Sequence, residues 1–191
     1  MPQNPIFDNS DYPDIYICGA LTGFSVDRLT TLRRRYELYG DIAKSFGFIA
    51  HIPHLHTDPV NNADVTPRYV FWFDTTAILR SKLMIADVSN LSHGAGMEMM
   101  LAWAIGLPIL LIKFEESEAV AQVSRLVLGN PNIIKTINPT TEGQAKELIS
   151  RFFSSYLLDI RASKLLANRH WTQQLGHWAV RQFLNYSDNV N

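Results

Sequence analysis

Three short stretches of the chain, Ile15-Tyr16-Ile17-Cys18, Leu83-Met84-Ile85-Ala86 and Ile109-Leu110-Leu111-Ile112, contain no charged residue and are too short to be core helices. Runs of this kind, closed by Gly19, Asp87 and Lys113, read as strands covered on both faces. Two further strands are expected at residues 48–52, stopped by Pro53, and at residues 133–137. Stretches with apolar residues at helical spacing lie between them, at about 26–45, 68–80, 97–105, 119–128 and 141–156. Strand alternating with helix predicts a parallel sheet joined by right-handed crossovers. The expected fold is therefore α/β, a Rossmann-like or flavodoxin-like five-stranded parallel sheet with helices on both faces.

The 191 residues suffice for one such domain and an appendage. The domain is expected over residues 15–156, after a loose tail at 1–14. Residues 157–191 carry Leu165, Trp171, Leu175, Trp178 and Phe183 at roughly helical spacing, which predicts a C-terminal helical extension packed on the domain or on a second subunit.

Charge and apolar run length exclude several partners. Seventeen basic residues stand against eighteen acidic ones, a net charge of -1, so no global field gathers a nucleic-acid polymer or an anionic membrane surface. No apolar run reaches the roughly 18 to 20 residues of a membrane span, and the start has no basic stretch followed by an apolar one. The one cysteine, Cys18, can form no internal disulfide, which fits a reducing compartment, the cytoplasm.

In open α/β sheets ligands bind beyond the carboxyl ends of the strands, so the loops after Cys18, Ile52 and Ala86 are the places where chemistry is expected. The loop after Ala86 is the richest: Asp87-Val88-Ser89-Asn90-Leu91-Ser92-His93-Gly94-Ala95-Gly96-Met97-Glu98. A buried strand delivers Asp87 at its end, hydroxyls follow, and Gly94 and Gly96 let backbone approach a ligand where a helix starts. With the helix starting near Gly96, Glu98 falls in its first turn and shares a face with Leu101, Ala102 and Ile105, so its carboxylate points toward sheet or cleft. The helix dipole would favour its ionised form by about 0.3 to 1 kcal/mol, as a nucleophile requires. Capping of the helix by the same carboxylate is an equal alternative. Asp87 either lines the pocket or holds the following loop through backbone N–H groups.

Other motifs point away from metal and dinucleotide chemistry. His51, His54 and His56 have spacing at which imidazoles share an ion, but Pro53 breaks the strand and no cysteine or clear carboxylate completes a shell. Structural or substrate-lining roles are expected for them. No Gly-Lys-Ser/Thr makes a P-loop, and Gly94-x-Gly96 lacks the third glycine of a dinucleotide fingerprint.

Together, Tyr16-Ile-Cys-Gly19-Ala-Leu-Thr-Gly23, Asp74 on a helix, and Ser92-His-Gly94-Ala-Gly96-Met-Glu98 resemble the nucleoside 2-deoxyribosyltransferase family and its nucleoside 5'-monophosphate N-hydrolase relatives, over roughly residues 15–150. The resemblance implies cleavage of the N-glycosidic bond of a (deoxy)nucleoside or nucleoside 5'-monophosphate. Glu98 would attack the anomeric carbon and form a glycosyl-enzyme intermediate, which water or a second base then takes. Asp74 would orient the substrate and assist proton transfer to the leaving base, and Tyr16 would contact the carboxylate or the sugar. Gly19, Ala20, Thr22 and Gly23 of the first loop, with Asp87, Ser92, Gly94 and Gly96, would hold the substrate.

Ser92 stands where the N-hydrolases have the serine that meets the 5'-phosphate, and Ser124 resembles a second phosphate-contacting serine supplied by a neighbouring subunit. A homodimer or higher homo-oligomer is therefore expected, acting on a small-molecule substrate without metal or organic cofactor. The chain departs from the hydrolases at Ala20 and Thr22, where they have a serine and an arginine. Arg125, Arg80 and Lys82 are the cations considered as replacements. The alternative from another class is a non-catalytic nucleotide-binding or sensing module.

Overall fold

The structure is a computed structural model that describes residues 13–58, 62–115 and 123–162. Five strands, β1 (Ile15–Cys18), β2 (Ala50–His51), β3 (Leu83–Asp87), β4 (Ile109–Ile112) and β5 (Ile133–Ile137), form one all-parallel sheet in the order β2-β1-β3-β4-β5. Among the described residues six helices connect and cover it: α1 (Val26–Ser45), α2 (His54–Thr57), α3 (Pro67–Arg80), α4 (His93–Ala104), α5 (Arg125–Leu128) and α6 (Glu142–Ala162). This is the expected α/β architecture, in the strand order of flavodoxin-like folds. That order places a topological switch point between β1 and β3.

The alternation of side chains along each strand divides the core in two. Ile15 and Ile17 of β1, Leu83 and Ile85 of β3, and Leu110 and Ile112 of β4 pack against Leu32, Tyr36 and Tyr39 of α1 and against Ile149 and Phe153 of α6. Tyr16 and Cys18, Met84 and Ala86, and Ile109 and Leu111 face the other way, toward Ala77 and Ile78 of α3 and Ala95, Met99 and Ala102 of α4. Any side chain of β1 or β3 thus belongs to one layer or the other by the parity of its position.

Several elements differ from the expected bounds. β2 is two residues rather than five, because only Ala50 and His51 pair with β1 and Pro53 starts the single turn of α2. α4 starts at His93, four residues earlier than expected: Ser92, in extended conformation, accepts the N–H of Ala95 at 3.2 Å and caps the helix, leaving Gly94 and Gly96 inside it. α5 is one turn at Arg125–Leu128, and residues 119–122 of the expected helix at 119–128 lie outside the described residues. α6 runs on to Ala162, past the expected boundary at 156. The expected tail at 1–14 and extension at 157–191 otherwise fall at 1–12 and 163–191, outside the described residues. Among the described residues no helix is long and apolar enough to cross a membrane.

Candidate active site

The earlier start of α4 changes what Glu98 can do. As the sixth residue of the helix it lies in the second turn, beyond the free N–H groups at the helix start, and Ser92 has taken the cap. The capping alternative is thereby overturned, and the helix dipole acts too far away to hold the carboxylate ionised. Glu98 instead faces β1, where the Tyr16 hydroxyl donates to its Oε1 at 3.0 Å. Cys18, two residues further along the same face of β1, donates its thiol to the Ala95 carbonyl at 3.7 Å, one turn before Glu98.

Burial raises the pKa of Glu98 to about 7, and the nearby Asp74 charge adds to the rise. The adjacent Cys18 thiol and then the Tyr16 hydrogen bond pull it back down. Burial, followed by the Glu98 and Asp74 charges, pushes the Tyr16 phenol well above its ordinary value, so it remains a donor at every physiological pH. Burial and Glu98 push the Cys18 thiol up as well, which leaves it a hydrogen-bond donor and not a nucleophile.

Asp74, in the middle of α3, meets His51 of β2, whose Nε2 lies 3.1 Å from Asp74 Oδ1. The buried His51 ring stacks between Tyr16 at 5.3 Å and His56 at 5.1 Å, with Phe73 against both imidazoles. Burial, then the neighbouring His51, lowers the His56 pKa, so that imidazole is neutral at pH 7. Glu98, Tyr16, His51 and Asp74 therefore form a continuous line of polar groups along one layer of the sheet. His54 does not join them: its Nε2 pairs with Glu37 Oε1 on α1 at 2.9 Å.

Asp87 takes the loop-holding one of the two roles open to it. Position 87 has the parity of Leu83 and Ile85, so its carboxylate lies on the α1 side of the sheet, opposite Glu98. There it accepts the Tyr39 hydroxyl at 2.9 Å and the Ser89 N–H at 3.0 Å, with Arg35 Nη1 at 3.7 Å. In the first loop Ala20 is buried, while Thr22 and Gly23 are exposed and Gly23 has φ +84°. Gly94 is exposed, and a Cβ on Gly96 would meet open space.

Gly19 is constrained by packing. A Cβ there would overlap the Tyr36 ring, whose hydroxyl donates to the Ala20 carbonyl at 3.1 Å. Gly19→Ala is expected to cost about 1 to 3 kcal/mol of stability by overpacking. Gly96→Ala should cost nothing and gain up to about 1 kcal/mol from helix propensity. Denaturant midpoints of the two variants check the contrast.

Two of the cations expected as phosphate partners, Lys82 and Arg80, are not at this end of the sheet. Lys82 precedes β3 and pairs with Asp14, which precedes β1, so both lie at the amino ends of the strands; Arg80 ends α3 beside them. Ser124, exposed, caps α5 by accepting the Leu126 N–H at 3.2 Å. It lines an apolar groove between α4 and residues 123–131 to which Ser92, Met97, Met100 and Trp103 also contribute, and which does not reach Glu98, Tyr16 or Asp74. Met97 is 63% exposed and Leu126 73%, so this face presents an apolar patch to solvent.

No family model matches the chain. It is 24% identical over 153 residues, 78% of this chain and 90% of the relative, to a 5-hydroxymethyl-dUMP N-hydrolase of Rattus norvegicus. Among solved structures it is similar to a CMP N-glycosidase of Clostridium botulinum, with a TM-score of 0.53 and 19% identity, covering 72% of this chain and 98% of that one. A conserved protein of Enterococcus faecalis has the same TM-score at 18% identity, covering 74% and 99%.

Proposed function

We propose, from the premise that the chain is a nucleoside 2-deoxyribosyltransferase-like α/β protein, that it is an enzyme breaking the N-glycosidic bond of a nucleoside 5'-monophosphate or the corresponding nucleoside, with Glu98 as nucleophile. The observation that carries this reading is the Glu98 carboxyl, half-buried in the second turn of α4, hydrogen-bonded by Tyr16 at 3.0 Å and flanked by Asp74. A glutamate placed there serves neither capping nor solvation, and its neighbours are the groups a glycosyl transfer needs. The N-hydrolase and N-glycosidase relatives support the same bond as the target.

In the proposed reaction the ionised carboxylate of Glu98 attacks the anomeric carbon as the bond to the base nitrogen breaks, and the bonding pair leaves with the base. The departing base takes a proton through Asp74, which His51 orients from the other side. Water, or a second base, then attacks the anomeric carbon, gives up its proton through Asp74 to solvent and releases Glu98 as a carboxylate. Tyr16 holds the carboxyl in register and the loops at 19–23 and 92–96 bracket the sugar. The exposed apolar face of α4 and α5 is proposed as the contact with a second copy, which would bring a partner Ser124 toward the site. A buried, unpaired Cys18 thiol is compatible with the cytoplasm as the compartment.

Chromatography of free base, after incubation with a panel of ribo- and deoxyribonucleosides and their 5'-monophosphates, tests the proposal. Release is expected from at least one monophosphate, and a new nucleoside formed when a second base is added would make the reaction a transfer. Binding of these ligands with no base released from any would contradict it.

The pKa of about 7 gives a further expectation. The nucleophile must be ionised, so kcat/KM should rise with pH and level off above an inflection near 7. Because Tyr16 lowers that pKa by hydrogen bonding, Tyr16→Phe should move the inflection to higher pH, and the variant should be more impaired at pH 6 than at pH 8. A pH–rate profile with an unmoved inflection would remove Tyr16 from this role.

A further inference from the structure

A 5'-phosphate at Ser92 and the start of α4 needs a cation, and the loop between β1 and α1, Gly19 to Ser25, contains no charged side chain. Lys82 and Arg80 are at the wrong end of the sheet. Arg35 is committed elsewhere, beside Asp87 and over the Phe114 ring. Arg28 is not. It sits in the first turn of α1, and its Nη2 reaches out of the helix to donate to Asn90 Oδ1 at 3.2 Å.

Asn90 belongs to the loop between β3 and α4, two residues before Ser92. Two residues of chain span at most about 7 Å, which brings the guanidinium to the corner where α4 begins. Arg28 is partly buried, and among the described residues no aspartate or glutamate pairs with it. Its one recorded side-chain partner is a neutral amide, which leaves most of its five N–H donors for an acceptor. The Asn90 Nδ2 is buried without a partner as well. This corner therefore combines spare donors, a positive charge and the first N–H groups of a twelve-residue helix, and among the described residues no carboxylate pairs with the guanidinium.

We propose that Arg28 is the residue that selects a nucleoside 5'-monophosphate over the nucleoside, gripping the phosphate from α1 opposite Ser92 and replacing the cation that the first loop lacks. The inference rests on the reading above in which Ser92 meets the 5'-phosphate. It is specific to the α1–Asn90 bridge and makes no use of Arg125.

The test compares one nucleoside 5'-monophosphate with its parent nucleoside. In Arg28→Ala the ratio of kcat/KM for the monophosphate to that for the nucleoside is expected to fall about 10- to 100-fold, the loss of a charge-assisted contact. Arg28→Lys should recover part of it, since the charge remains while the fork geometry is lost. Taking the ratio cancels any loss of folded protein. A ratio that stays within about twofold of the wild type overturns the proposal. If the wild type releases no base from any substrate, the reading of the site as an enzyme fails, and the ratio of the two ligands' Kd values, measured by titration with and without Arg28→Ala, still decides the role of Arg28. A wild type that turns over nucleosides and gains nothing from the phosphate would refute the inference and leave the glycosidic-bond reading standing.

Discussion

Glu98→Ala and Glu98→Gln are expected to reduce the release of free base on the order of 10³- to 10⁵-fold while ligand binding persists. Removal of a nucleophile takes away the route itself, leaving only what positioning and electrostatics supply. The same substitutions carry a stability signature that excludes unfolding as the cause. The carboxyl has a pKa of about 7 when folded and an ordinary value of 4.5 when the chain is unfolded. Below pH 4.5 both states hold the proton and the group is neutral in its effect. As pH rises from 4.5 to 7 the unfolded chain releases the proton first, so the stability conferred by the folded state's tighter proton binding is progressively lost and the deficit levels off above 7. The cost there amounts to about 1 to 3 kcal/mol, the upper figure being reduced by partial exposure to water. Glu98→Gln, which keeps the shape without the charge, should therefore be at least as stable as the wild type at pH 8 and lose that advantage at pH 4. Thermal midpoints at the two pH values, measured beside the rates, check both halves. A variant that is inactive because it is less stable at pH 8 would remove the basis for assigning a chemical role.

Asp74→Asn carries the second large effect, a fall in kcat/KM of about 10²- to 10³-fold. The amide preserves volume and a contact with His51, but it cannot pass a proton to the departing base. The loss should therefore depend on the leaving group. Bases that depart readily as anions should be affected least, and those that need protonation most. Measuring the variant on a series of monophosphates that differ only in the base separates this role from simple positioning, which would lower every substrate by one common factor. His51 is expected to share the dependence in weaker form, since its Nε2 fixes one Asp74 oxygen at 3.1 Å and its ring is held in the stack between Tyr16 and His56.

The fold was legible because its evidence is local. Apolar runs such as Ile109 to Ile112, four residues long, have one economical explanation as buried strands, and the strand–helix alternation fixes the class. β4 and β5 fall at their expected residues, since both are bounded by turn formers and pair with each other, with one irregularity at Ile134. The start of α4 is not legible because two glycines argue against helix, and the sequence does not reveal that Ser92 satisfies the helix end and carries both glycines inside. The earlier start puts Glu98 one turn further into the helix, where burial raises its pKa and the dipole no longer holds it ionised.

Within the site, legibility follows distance along the chain. Tyr16 and Glu98 are site residues that motifs point to, whereas Cys18, inside the same motif as Tyr16, has no expected role at the site, although its i, i+2 relation to Tyr16 on a strand places both on one face. In the sequence His51 reads with the neighbouring histidines, and its partner Asp74 reads as a helix aspartate of a different segment. Their contact joins β2 to α3 across 23 residues and leaves no periodic trace in either segment. The Arg28–Asn90 bridge spans 62 residues and is equally silent, since each residue alone reads as a solvated side chain at an element end. Asp87 was ambiguous for the opposite reason: a strand-end carboxylate suits a pocket or a loop, and only the parity of its position relative to the two layers separates them.

Intact-mass spectrometry of the protein, quenched in acid during a single turnover with enzyme in excess, is the most direct test of Glu98 as the nucleophile on an N-glycosidic bond. The account predicts that free base is released while the protein transiently gains the mass of the glycosyl group, that the added mass maps to the peptide containing Glu98, and that Glu98→Ala shows neither. Full release of base by Glu98→Ala, or a glycosyl group found on another residue, would contradict it.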